Sequence, residues 1–122
     1  MSHIVEIQTQ VRDASAVRAG CKRLRLDDPV DGEFELFSET VSGLAVQLDD
    51  WRYPVVFNTS SGETRYDNYN GQWGKQERLD EFLQAYAVEK AKIEARKQGY
   101  SVSEQPLADG SIKVTVQVGG AA

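Results

Sequence analysis

Cysteine, histidine and methionine each occur once in the 122 residues, and proline occurs three times. A lone Cys21 closes no internal disulfide and a lone His3 builds no histidine-rich metal cage, so the chain reads as a cytoplasmic protein held together by its core. Long apolar runs are missing too; the longest are pieces such as Val55-Val56-Phe57, far short of the ~18 residues a membrane helix needs. The opening Met1-Ser2-His3-Ile4-Val5-Glu6 lacks the basic segment and ~7–15 apolar residues of a secretory signal. Positive charge is in deficit, with 14 Lys and Arg against 19 Asp and Glu, a formal net charge of −5 and a pI near 4.9. That balance argues against a duplex nucleic acid or an anionic membrane as partner. No Walker-type phosphate loop, dinucleotide glycine fingerprint or metal-binding CxxC occurs, so no cofactor is implied.

What is there suffices for one core: 40% hydrophobic residues, 27% charged and 9% aromatic. The expectation is a single domain over residues 1–118 with a frayed tail at 119–122, where Gly119-Gly120-Ala121-Ala122 offers nothing to anchor. His3, Val5, Ile7, Thr9 and Val11 share one parity, the pattern of a half-buried strand. Asp13 then precedes Val17, Gly20, Cys21 and Leu24, a helical stripe with an N-cap in front of it and Lys22, Arg23 and Arg25 at its far end. Gly20 on that stripe suits close approach to a sheet. After a loop at Asp28-Pro29 and Asp31-Gly32, the middle of the chain alternates through Phe34/Leu36, Leu44/Val46/Leu48, Trp51/Tyr53/Val55/Phe57 and Thr64/Tyr66, with turns at Asp49-Asp50 and Ser61-Gly62 and an end at Asn70-Gly71, which is an antiparallel meander. Pro54 makes the Trp51–Phe57 strand an edge or a late starter.

Between Lys75 and Gln98 there is no Gly or Pro, and Leu79, Phe82, Leu83, Tyr86, Ala87 and Ile93 form a helical stripe. Gly99 stands where a left-handed C-cap belongs. A closing hairpin follows, through Tyr100 and Val102, a turn at Pro106 to Gly110, and the strictly alternating Ile112, Val114, Val116 and Val118. The order β-α-β-β-β-β-α-β-β predicts an α+β fold: a single antiparallel sheet of six to seven strands with two helices on one face.

Few residues suggest chemistry. His3 is the one side chain titrating near neutrality, on the inward parity of the first strand; a pocket between sheet and helices using His3 and a carboxylate such as Asp67 is one reading. Cys21 on the helical stripe behaves as a small hydrophobe, and no cysteine-hydrolase signature surrounds it. Between Asp27 and Asp50 there are eight acidic residues and no Lys or Arg, but their spacing is not that of a calcium loop. No metal site and no catalytic set is expected, and the chain leans away from being an enzyme. Trp51, Tyr53, Phe57, Tyr66, Tyr69 and Trp73 crowd into one stretch; Trp51, Tyr53 and Phe57 share a core-facing parity, while Tyr69 and Trp73 flank the Asn70-Gly71 turn and are expected at the surface. With Tyr66 and Asp67 beside them, they are the candidate binding residues for a protein partner. An antiparallel sheet with free edges also makes a homodimer through an edge strand conceivable.

Met1-Ser2-His3, Thr9-Gln10-Val11-Arg12-Asp13, Trp73-Gly74, Phe82-Leu83, Tyr86-Ala87, Lys97-Gln98-Gly99-Tyr100 and the run from Asp109-Gly110-Ser111-Ile112 to Val118 together resemble the uncharacterised conserved proteins of cyanobacteria and plastids known as hypothetical chloroplast open reading frame thirty-five. The likeness covers roughly two-thirds of the chain and is strongest from Tyr66 onward, whereas Asp27–Trp51 departs from the family's shorter, Gly-rich strand region. The resemblance implies a small α+β protein with no assigned activity and no catalytic residues to carry over. Members are often encoded beside another small uncharacterised protein and an AAA-type ATPase, so the resemblance implies an accessory or adaptor role by association.

Overall fold

The computed structural model describes residues 10–118 throughout and the backbone of Ile4–Ile7. Strand β1 (Ile4–Ile7) leads to helix α1 (Ala14–Arg23), followed by strands β2 (Val30–Glu35), β3 (Thr40–Val46), β4 (Val55–Asn58) and β5 (Glu63–Asp67). A short 3-10 turn (Tyr69–Gly71) precedes helix α2 (Gln76–Lys97), and β6 (Ser101–Pro106) and β7 (Ile112–Gln117) close the chain.

The local signals that bound both helices hold, but the buried face of α2 runs through Ala85 and Val88 and leaves Ala87, expected on the stripe, exposed. Asp13 caps α1, its carboxylate accepting the amides of Ser15 and Ala16 at 2.9 and 3.1 Å, and Lys22 and Arg23 occupy the last turn. Gly99 takes φ +80° after α2, and the Tyr100 amide returns to the Ala95 carbonyl at 2.9 Å. Pro54 delays β4, which begins at Val55. The first strand is shorter than its parity implied: Gln10 and Val11 lie outside it, and Val11 is buried in the core.

The fold is α+β with the expected element order, but the strands do not form a single sheet. Five of them pair antiparallel in the order β1-β5-β4-β3-β2, and β6 and β7 make a separate two-stranded ribbon. The reason is long-range pairing: β1 returns to β5, with Ile4 opposite Asp67 and Ile7 opposite Thr64, and takes the position beside the meander. The ribbon, delivered at the far end of a 22-residue helix, pairs only with itself among the described residues. Glu104 of β6 ties it to the helices through Arg23 of α1 and Lys92 of α2.

One face of the five-stranded sheet carries the core. Leu44, Val46, Val55, Phe57 and Tyr66 meet Val17, Cys21, Leu79, Phe82 and Tyr86 from the helices, and Phe57 stacks on Phe82 with centroids 5.5 Å apart. Gly20 has a different use from the one expected. A Cβ there would stand 3.3 Å from Phe82 and 3.5 Å from the Tyr86 backbone nitrogen, so the small residue admits α2 rather than the sheet. The Tyr86 hydroxyl then accepts the amides of Arg12 and Asp13, both at 3.2 Å, fixing the entry to α1. No helix among the described residues is long and apolar enough to cross a membrane.

Candidate functional site

The sheet face away from the helices holds Arg65 and Asp67 of β5, two residues apart and therefore on one side. The turn between β2 and β3 reaches this side. It closes with the Leu36 amide on the Glu39 carbonyl at 2.8 Å, and Arg65 holds Glu39 at 2.9 Å. Leu36 is buried, which leaves the neighbouring Phe37 to point outward, 51% exposed.

Phe37 meets Trp73, their centroids 5.1 Å apart. Tyr69 lies 4.7 Å from the same indole and Tyr53 5.7 Å from it, and the guanidinium carbon of Arg52 sits 4.8 Å from its centroid. Three segments distant in sequence thus put three rings and a cation around one half-buried tryptophan. Each ring contact is worth ~0.5–1.5 kcal/mol beyond area burial, and an exposed Arg–aromatic contact ~0.5–1 kcal/mol.

The backbone beneath this cluster is firmly held. The Trp73 amide donates to the Asn68 carbonyl at 2.9 Å, and the Trp73 carbonyl accepts the Arg52 amide at 2.8 Å. Next door, Trp51 is buried, packs edge-on against Tyr66 at 5.5 Å and donates its indole N–H to the Lys75 carbonyl at 3.1 Å. Gly74 permits this: a Cβ there would lie 2.4 Å from the Trp51 ring, a distance no side chain can occupy. Tyr69 and Asn70 both adopt left-handed backbone, φ 47° and 53°, at a cost of about 1 kcal/mol or more for a residue such as tyrosine. That conformation, with the Tyr69 amide donating to Oδ1 of Asp67 at 3.1 Å, delivers the Tyr69 ring to Trp73.

Of the residues named from sequence, Tyr69 and Trp73 come together. Tyr66 and Asp67 do not join them at the surface: Tyr66 is 4% exposed and Asp67 fully buried. The parity that puts Tyr66 against Trp51 in the core takes its ring inward, and burial pushes its hydroxyl pKa up although that hydroxyl bonds Oε1 of Gln76. Asp67 is a support, holding Tyr69 by one oxygen while Oδ2 is buried with no hydrogen-bond partner. Tyr53 is also corrected, since it lies before β4 begins and joins Trp73 instead of the core. Phe37 and Arg52 had not been singled out. The signal for Phe37 was the adjacent pair Leu36-Phe37, of which a strand end can bury only one.

A groove of about 390 Å³ lies along the same 3-10 turn, lined by Asn68, Asn70, Lys75 and Gln76 among others. A wider recess of about 530 Å³ is lined by β2, β3, β4 and the turn after β4 alone, with no helical residue, so it is not a sheet–helix pocket. His3, the pocket candidate, and the tail at 119–122 lie outside the described residues. Cys21 is buried, and desolvation with the nearby Asp28 pushes its thiol up to about 11, which keeps it protonated and inert. Among the described residues no three His, Cys, Asp or Glu side chains gather as metal ligands would. Comparison with protein-family models, with curated proteins and with solved structures finds no match to this chain.

Proposed function

We propose that this chain is a non-enzymatic accessory domain that binds a partner protein in the cytoplasm through the aromatic surface centred on Trp73. The observation that carries the reading is the convergence of Phe37, Tyr53, Tyr69 and Arg52 on that one half-buried indole. Large rigid side chains with few rotors bury area at low entropic cost, and Trp, Tyr and Arg are the residues that dominate interface energies. The strained turn at Tyr69-Asn70 supports it, because a turn that costs free energy and holds a ring outward has a use beyond folding. The resemblance to the plastid and cyanobacterial family adds an AAA-type ATPase as the partner to try first.

The test is capture of partners by the full chain and by a Tyr69→Ala/Trp73→Ala variant, with far-UV circular dichroism and a cooperative thermal transition confirming that the variant is folded. A specific partner retained by the first and lost by the second is the expected result. Equal retention by both would overturn the reading.

A further inference from the structure

The β6–β7 ribbon is short of support. A two-stranded hairpin alone is marginal in water and needs a third strand or a packed face, yet no residue of either strand is fully buried. Val116 of β7 and the flanking Leu107 and Val118, three of the exposed large hydrophobics among the described residues, are 39%, 42% and 72% exposed. The two outer edges of the ribbon differ. β6 ends in Pro106, which donates no backbone hydrogen bond, and its Glu104 is occupied by Arg23 and Lys92. β7 has neither proline nor acidic residue, carries one charge in Lys113, and among the described residues no strand pairs with its outer side. A largely β-branched edge with a single charge is a template for another strand.

We infer that β7 is the interface of a homodimer, two copies pairing antiparallel through this edge about a two-fold axis at Thr115 to give a four-stranded sheet β6-β7-β7-β6. The side-chain arithmetic is self-complementary. With the axis at Thr115, Ile112 faces Val118 of the second copy and Val114 faces Val116, so one side of the junction is wholly aliphatic. On the other side Thr115 meets itself and Lys113 faces Gln117, which puts no like charges opposite each other. This register also uses the whole run Ile112–Val118, whereas an axis at Val114 or Val116 leaves part of it unpaired. One edge strand of the large sheet behaves oppositely: β2 carries Asp31, Glu33 and Glu35, and every two-fold register centred within it sets acid against acid. A second copy is therefore accepted at β7 and refused at β2.

Sedimentation equilibrium of the full chain across a range of concentrations tests this, read beside two kinds of variant. The wild type is expected at twice the chain mass. Thr115→Lys, a change at an exposed position that sets two ammonium groups across the axis, is expected to weaken dimerisation several-fold with an unaltered thermal unfolding profile at low concentration. Thr115→Cys is expected to form a disulfide-linked dimer under mild oxidation, because directly opposed antiparallel residues have Cα atoms ~4.5–5.5 Å apart, within disulfide reach. Lys113→Cys, facing Gln117, is expected not to. The native Cys21 is buried and does not interfere. A wild type that is monomeric at every concentration, a dimer that survives Thr115→Lys, or equal cross-linking at positions 113 and 115 would each overturn the inference.

Discussion

At the residue scale, the site depends on two residues that never reach the surface, Gly74 and Asp67. Gly74 lies under the Trp51 ring, where even a methyl group would stand 2.4 Å from ring carbon. Neither partner can give way, because Trp51 is buried and its indole N–H is tied to the Lys75 carbonyl. Gly74→Ala is expected to destabilise the fold by ~2–3 kcal/mol, measured by urea unfolding, and to loosen Trp73 one residue away. Gly71, at φ +92° with open space around it, provides the contrast. Gly71→Ala meets only the backbone penalty, and ~1 kcal/mol is expected. Asp67 acts through Tyr69, whose amide it holds at 3.1 Å. Asp67→Ala is expected to weaken partner capture without removing any surface contact, whereas Asp67→Asn, which keeps an acceptor oxygen, restores it. Such a split between the two variants, read in the capture assay, distinguishes a positioning role from direct contact.

At the element scale, the helices were legible in the sequence and the division of the sheet was not. Asp13, the Val17–Leu24 stripe, the Gly- and Pro-free run before Gly99 and Gly99 itself are local signals that act within a few residues of where they stand. Strand pairing is not local: the alternation in β7 is the same whether its neighbour is β6 alone or the edge of a larger sheet. Nor could sequence show that Phe37, Arg52 and Trp73 meet, since three turns bring them together across a folded sheet. The ribbon's attachment is a matter of charge. Arg23 holds Glu104 first, Lys92 second, and together they bring its carboxyl down to about 2. A carboxylate with a depressed folded-state pKa adds stability that is complete above the unfolded value and is lost as pH falls through the folded one. The window is therefore from roughly pH 4.5 down to about 2, and solvent screening at this partly exposed cluster leaves ~1 kcal/mol at stake. The protection factors of the β6 and β7 amides, exchange taken relative to the intrinsic rate at each pH, are expected to fall across that window while those of the five-stranded sheet hold. In Glu104→Gln the lower protection is expected already at neutral pH.

At the scale of the whole molecule, the aromatic surface and the β7 edge are built from different elements. The first draws on the β2–β3 turn, the segment before β4 and the 3-10 turn; the second is a single strand after α2. Sites that share no side chains and no network are energetically additive to within a few tenths of a kcal/mol. Trp73→Ala is thus expected to cost ~2 kcal/mol in partner binding, about 30-fold, and to leave the dimer intact, while Thr115→Lys does the reverse for a monovalent partner in solution. The two coincide only when the partner is displayed in many copies, as a subunit ring or a densely coated sensor surface would display it. A dimer then engages with two tryptophan-centred surfaces and gains avidity with no new contact. On a dense surface Thr115→Lys is expected to shorten residence time markedly, and on a sparse surface to leave it unchanged. An equal effect at both densities would mean that the β7 edge touches the partner itself, and the two surfaces would have to be treated as one.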